Sequence, residues 1–510
     1  MKTPKMKEQT SELVLALAKL KSVFLALALF SGLVNLLALT GSMFMMQIYD
    51  RVLSSRSIPT LVSLALITIL LYFIQGALDF SRSRIMARIA SYLDETFSVR
   101  LFRCVMQLPL RTRRRGDDLL PLRDLDTIRN FMASPGPLAL FDLPWMPVFL
   151  IFIFLLHPWL GVLSLVGMLV LIFLTLLTEY SSKKPAQDVQ KQSSSRIALS
   201  TMGSRNAEVL QAMGMGDRLL ARWQSENENY LRAQERSGDV VSGISSISKV
   251  VRFILQSAML GLSAFLVIRG EISSGSIIAS SIVSSRALAP IEAVIAHWKG
   301  FLAARQSKSR IDELLKTVQQ EKDPMALPEP KETLSVEGIS VGAPGTQTLL
   351  IQNVTLKLEA GQGLGIIGPS AAGKSTLARA LVNVWPAVRG AIRLDGASLD
   401  QWSPTALGQH VGYLPQDIEL FDGTVAENIA RFEPEADPEK IVAAAEAADV
   451  HQMILHLSEG YETRVGDSGM ALSAGQRQRI ALARAPFMAI LFLLCWMNRI
   501  LIWIPMVNRL

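Results

Sequence analysis

Charge is scarce in this chain: Asp, Glu, Lys and Arg make up 19% of 510 residues, against 50% apolar residues. Soluble domains run at about 25% charged, so much of the chain is not built for water. Cysteine is rarer still, with two residues, Cys104 and Cys495, which excludes a disulfide scaffold and a thiolate metal cluster. The histidines number five, and His297 and His410 fall at no ligand spacing, so no imidazole metal site is expected. Gly (33) and Pro (23) are too few for collagen-like or disordered sequence. Acidic residues stop altogether after Asp467. At roughly 150 residues per domain, the length allows two to four domains.

What the chain has instead is long apolar runs. A bilayer core about 30 Å thick needs roughly 20 helical residues, and six stretches qualify: 24–45, 60–80, 138–156, 160–177, 250–268 and 277–295. The fifth carries Arg252 and Gln256, the sixth Arg286 and Glu292; both span if those polar groups face a bundle or a wet cavity. The formal charge of +7 would suit nucleic acid or an anionic membrane face, and its placement decides. Eleven Arg lie between Ser81 and Gly136, among them Arg113, Arg114 and Arg115, and ten Lys or Arg between Glu179 and Lys249. The alternate connections are short and nearly neutral. That asymmetry puts the basic loops and both chain ends in the cytoplasm and predicts no nucleic-acid partner.

Beyond 306 the character changes. A polar stretch with Pro324, Pro328 and Pro330 reads as a linker, and short apolar strands then alternate with helical stretches, the pattern of an α/β domain. Within it, the apolar strand 364–367 leads into GPSAAGKST, Gly368 to Thr376, and a helical run 377–382. This is G-x-x-x-x-G-K-[ST] in its proper context. Gly368 and Gly373 let the backbone wrap closely around Ser370, Ala371 and Ala372, so that amides converge on phosphate oxygens. The helix start adds a positive dipole end. Lys374 reaches the β- and γ-phosphates, and the Ser375 hydroxyl ligates Mg²⁺ beside Thr376. ATP and Mg²⁺ are the expected cofactors.

Two further strings carry a family resemblance. ALSAGQRQRIALARA, from Ala471 to Ala485, resembles the signature motif of ATP-binding cassette (ABC) proteins, with Ser473, Ala474, Gly475 and Gln476 in LSAGQ for LSGGQ. YLPQD, from Tyr413 to Asp417, resembles their Q-loop, which implies that Gln416 senses the γ-phosphate and Mg²⁺. In that family the signature faces the ATP of the other subunit. MMQIYDRVLSSRS (45–57), FDLPWMPVFL (141–150), HPWLG (157–161), RALAPIEAV (286–294) and YLPQDIELFDGTVAENIARF (413–432) are similar to type I secretion exporters, the branch that exports proteases and lipases. The resemblance implies a homodimer in the bacterial inner membrane, a periplasmic adaptor, an outer-membrane channel and a secreted polypeptide of the RTX class. The short leader leaves no room for the peptidase-like domain of related exporters. One departure is Val341-Gly342-Ala343-Pro344, where many cassette ATPases place an aromatic against adenine.

The other departure is larger. The next core strand of the family ends in Asp-Glu, the Asp on Mg²⁺ and the Glu on the attacking water. After Ala485 this chain reads PFMAILFLLCWMNRILIWIPMVNRL, without a carboxylate and without the later His. A seventh membrane helix is one reading. The genetic code gives a sharper one: Trp496, Met497 and Asn498 read one frame over spell Asp-Glu, preceded by Leu, followed by Pro or Ser, and then by Leu or Met with a further Asp. The stretch is therefore read as a frameshift, in the gene or its sequencing, that truncates an exporter ATPase and removes its hydrolysis.

The expected architecture is a multi-domain membrane protein with an all-α six-helix transmembrane domain and an incomplete α/β P-loop NTPase domain. Its division is a cytoplasmic leader (1–21), six-helix domain (22–310), linker (311–332), partial ATPase domain (333–485) and aberrant apolar tail (486–510). Two rivals share the phosphate motifs: an exporter of lipid or small molecules, and a membrane protein that binds ATP as a switch without hydrolysing it.

Overall fold

The computed structural model describes residues 12–111, 119–318, 327–346, 348–466, 469, 471–485, 487, 493–496 and 501–503; Arg113 to Arg115 and Asp467 fall outside them. The chain divides into two units, Met1–Gln107 with Arg115–Gln319, and Leu108–Arg114 with Gln320–Leu510.

Among the described residues six helices are long and apolar enough to cross a membrane: α1 (Lys21–Ser55), α2 (Ile58–Arg111), α3 (Pro135–Leu156), α4 (Pro158–Arg205), α5 (Gly216–Ile268) and α6 (Ser274–Ala296). Each contains one of the apolar runs read from sequence. The basic stretches between them are a correction. Where described, they are largely continuations of helix: α2, α4 and α5 have 54, 48 and 53 residues, roughly 70–80 Å each at about 1.5 Å per residue. A bilayer core takes about 30 Å of that, so the Lys- and Arg-rich remainder projects as helix beyond the apolar layer. The polar stretch read as a linker likewise begins in a helix, Trp298–Thr317, with Ile311 and Leu315 buried.

The polar residues of the spans find one another, as an apolar surround demands. Arg252 of α5 and Glu292 of α6 form an ion pair at 3.0 Å. The buried Arg82 of α2 reaches Asp79 at 2.6 Å and Asp142 of α3 at 2.7 Å. Asn35 of α1 donates to the same Asp142 at 2.9 Å. This network lies on the wall of a cavity of about 590 Å³, with Gln75 and the exposed Arg286 among its other polar residues. Close helix approach is made at Gly32 and Gly167, where a Cβ would stand 2.4 Å from the Trp145 ring and 2.3 Å from a Leu255 methyl.

The second unit contains two four-stranded sheets. In the first, β1 (Thr333–Gly342) pairs antiparallel with β2 (Leu349–Glu359) and, on its other side, β4 (Arg389–Leu394), which pairs with β5 (Ala397–Ser398). Leu334, Val336 and Leu394 point into its core, the alternation of a half-buried sheet. The second sheet runs β3 (Gly363–Gly365), β8 (Leu501–Trp503), β7 (Leu493–Trp496), β6 (Val411–Leu414).

The tail therefore enters the fold as strand. β7 lies parallel to β6, Leu414 opposite Trp496, and β8 returns antiparallel to both β7 and β3, with Ile502 opposite Cys495 and Leu364. Among the described residues, 493–496 and 501–503 are not a seventh membrane helix. These strands occupy both places between β3 and β6, so neither of those two strands is left with an open edge there. Four residues separate β7 from β8. That suffices for an antiparallel return, whereas a parallel crossover needs a dozen or more. Exposed apolar surface does remain: β3 stops at Gly365, and Ile367, expected in the strand, is 96% exposed.

Candidate functional site

Two successive antiparallel steps, β7 to β8 and β8 to β3, make β3 parallel to β7 and hence to β6. The carboxyl ends of β3, β6 and β7 thus share one edge of the sheet, the edge at which open α/β sheets bind ligands. The loop from Gly368 leaves β3 there, and Gln416 follows β6 there. With neighbouring strands about 4.8 Å apart, the two lie roughly 14 Å from each other across the sheet.

The loop has the backbone its glycines foretold. Gly368 and Gly373 have φ of 158° and 89°, and a Cβ on Gly373 would stand 2.4 Å from Ile351. Ala371 also has positive φ, 67°, a left-handed position that costs an L-residue about 1–2 kcal/mol and marks stored strain. Helix α7 (Lys374–Leu381) starts immediately after, and its first backbone bond runs from Leu377 N–H to Gly373 C=O. The amides of Lys374, Ser375 and Thr376 precede it and have no partner within the helix. The Lys374 ammonium folds back over the loop, donating to the carbonyls of Gly368 and Pro369 at 2.7 and 2.8 Å. Ser370, Ala371 and Ala372 are exposed, Ser375 is half-buried, and Thr376 is buried against the core. The arrangement is a shallow, solvent-open cup of backbone donors with one cation above it, suited to a polyphosphate.

The donor set fits Mg²⁺ less completely. Ser375 offers a hydroxyl and the exposed Gln416 an amide oxygen, while Mg²⁺ is usually held by one or two carboxylates together with phosphate oxygens. Among the described residues no cluster of three His, Cys, Asp or Glu could hold a metal. At the end of β7 the chain has Trp496, Met497 and Asn498, none of them acidic. Val341 is buried in the first sheet's core, so its side chain offers no surface to a base.

The second motif opens helix α8 (Ala474–Arg484). Ser473 is its N-cap, accepting from Gln476 N–H at 3.3 Å while its own N–H donates to the Gln476 side chain at 2.8 Å. This capping box uses two of the motif's residues on each other, leaving Ala474 and Gly475 exposed at the helix's positive end. Arg477 holds the approach, donating to the carbonyls of Gly469 and Leu472 at 3.3 and 3.2 Å.

Sequence reasoning missed Arg431, which donates to the carbonyls of Arg484 (2.9 Å), Ala485 (2.6 Å) and Gly408 (2.7 Å). Burial, aided by the nearby Arg484, pushes its guanidinium down to about 10. The available signal was an Arg set between Ile429-Ala430 and Phe432.

Comparison with known proteins follows the same division of the chain. The family model for the ABC transporter transmembrane region matches residues 24–288, and that for the ABC transporter matches 351–495. The chain is 49% identical over 480 residues to the type I secretion system ATP-binding protein PrsD of Rhizobium meliloti (strain 1021), covering 93% of this chain and 82% of that one. It is 29% identical to the leukotoxin translocation ATP-binding protein LktB of Mannheimia haemolytica, over 92% of this chain and 67% of that one. Its fold is shared with a bacterial Atm1-family ABC exporter solved with ATP bound, at a TM-score of 0.77 and 20% identity, over 92% of this chain and 84% of the other. With a six-helix membrane region, a glycine loop suited to a polyphosphate and relatives that span both, this chain belongs to the ABC transporters.

Proposed function

We propose that the chain is the ATP-binding exporter of a type I secretion system in the bacterial inner membrane. It acts as a homodimer with a periplasmic adaptor and an outer-membrane channel, and its cargo is a polypeptide of the RTX protease or lipase class. The observation that carries the reading is the loop Gly368–Thr376 at the carboxyl edge of the second sheet, with Lys374 above it and Gln416 on the same edge. The similarity to PrsD over 93% of the chain supports the transport role. The domain limits proposed are those expected from sequence: leader 1–21, membrane domain 22–310, linker 311–332, ATPase domain 333–485 and tail 486–510.

Within this reading Gly368, Ser370, Ala371, Ala372, Gly373, Lys374 and Thr376 hold the phosphates. Ser375 would hold Mg²⁺, which would neutralise charge on the phosphates; Gln416, roughly 14 Å from the loop across the sheet, would reach the same ion only after that gap closes. Ser473, Ala474, Gly475 and Gln476 face the nucleotide of the partner subunit. The chain binds ATP without turning it over, because the end of β7 carries no carboxylate to orient water. Photolabelling of the purified 510-residue chain by an azido-ATP, with vanadate-sensitive hydrolysis measured in parallel, tests both halves. Labelling in the Lys374 loop without turnover is expected. Absence of labelling ends the nucleotide reading, and turnover at a rate ordinary for transporters ends the proposed deficiency. Sequencing the DNA across the Ala485 codon tests the frameshift.

A further inference from the structure

Helix α8 and strand β6 each carry one of the motifs assigned to ATP, and carry it at one end only. Ser473 caps the start of α8, and Gln416 follows the end of β6. Their opposite ends meet at a single side chain. Arg431 donates to the carbonyls of Arg484, the last of α8, and Ala485, its C-cap, to that of Gly408 (2.7 Å) in the short helix Pro404–His410 that leads directly into β6, and at 3.5 Å to that of Val411, the first residue of β6. No carboxylate pairs with it among the described residues. The negative end of the helix and the other carbonyl dipoles are what hold this cation.

The backbone at this point is set up for the contact. Arg431 and Phe432 both have positive φ, 55° and 58°, so two successive L-residues are held in the left-handed region, which each disfavours. The apolar face of α8, Ile480, Ala481 and Ala483, is buried against Leu414 and Val425. Such packing is non-directional and leaves slide and tilt of the helix weakly defined. Directional bonds define them. An 11-residue helix is about 16 Å long, so a tilt of about 10° at its far end moves its first residues by roughly 3 Å, the whole length of a hydrogen bond.

We propose that Arg431 is a positioning residue for the composite nucleotide site: a brace locking α8 to β6, so that Ser473 is presented to the partner subunit's nucleotide in fixed register with Gln416. The inference rests on the reading of the chain as a dimer with ATP shared between subunits. It separates two events that a merely structural residue would affect together. Nucleotide binding by a subunit's own loop needs Gly368–Thr376, which Arg431 does not touch. Trapping of that nucleotide by the partner's signature needs α8 in place.

The test uses the full chain in proteoliposomes, comparing wild type with Arg431→Lys and Arg431→Met, neither of which reproduces the planar fork. Two quantities are read: azido-ATP labelling of the loop, and the release rate of a preloaded non-hydrolysable ATP analogue. Wild type should show a slow phase from trapped nucleotide. Both variants should label within about threefold of wild type and lose the slow phase, with release at least tenfold faster. A slow phase retained in Arg431→Lys overturns the proposal. Loss of labelling together with the slow phase in both variants overturns it too, since Arg431 would then support the fold alone. A wild type that labels but shows no slow phase refutes the shared-nucleotide reading itself.

Discussion

Lys374 and Asp395 show how single residues act in the second unit. Lys374 is a side-chain cation held over the glycine loop by the carbonyls of Gly368 and Pro369, and charge-assisted hydrogen bonds are worth about 1.5–3 kcal/mol. Lys374→Ala should therefore weaken nucleotide labelling by roughly 10- to 100-fold without unfolding the unit, measured by azido-ATP titration beside a thermal melt. Asp395 has a different task. Burial would raise its carboxylate, but the backbone N–H groups of Lys331, Thr333 and Glu332 and the Thr333 hydroxyl outweigh that and hold it below its ordinary value. A carboxylate depressed in the folded state adds stability above its unfolded pKa, and that stability is lost as pH falls through the folded value. Asp395→Asn should thus cost about 0.5–1 kcal/mol at pH 7, a figure reduced for its solvent exposure, and almost nothing at a pH below its depressed folded value. Urea titrations at the two pH values measure the difference.

Elements decide what residues alone do not. The Arg252–Glu292 pair ties α5 to α6, and breaking a partly buried pair leaves one charge uncompensated. Glu292→Gln should cost about 1–3 kcal/mol. The double variant Arg252→Gln/Glu292→Gln should recover part of that, read as a coupling energy from a double-mutant cycle in mixed-micelle unfolding. In the second sheet β8 has neighbours on both sides. Ile502→Pro removes a donor from an interior strand and should destabilise the second unit by about 3 kcal/mol or more, visible as early thermal unfolding. If the tail contributes no strand, that variant melts like wild type. The membrane helices were legible because the apolar runs are long and uninterrupted. Their extensions were not, since a basic polar stretch reads as loop when its helical periodicity goes unexamined. The strands of the tail were not legible either: an apolar run of this length suits helix and strand alike, and only the places beside β3 and β6 select strand.

At the scale of the whole molecule, the proposed function separates nucleotide binding from turnover. A ligand that binds the folded state alone stabilises it by RT ln(1 + [L]/Kd), about 2.7 kcal/mol at a hundredfold excess over Kd. Saturating ATP should accordingly raise the melting temperature of the second unit by a few degrees. The gain should persist on standing, since no turnover depletes the nucleotide; scanning calorimetry with and without ATP measures it. A chain expressed with the shifted frame restored, carrying Asp-Glu at the end of β7, should show the same shift initially and lose it as ATP is consumed.

The sequence by itself determined the number of spans, the glycine-loop site with Lys374 and the missing acidic pair. Each is written in contiguous residues, as apolar length, fixed spacing or a simple absence. Only the tertiary structure decided that Arg252 meets Glu292, that the tail closes the second sheet, and that Arg431 joins the helix of one motif to the strand of the other. Those pairings join residues far apart in the chain, 40 in the first case and about 54 in the last. Burial in a low-dielectric interior makes an unpartnered charge or strand edge costly, and the fold settles where each finds its partner.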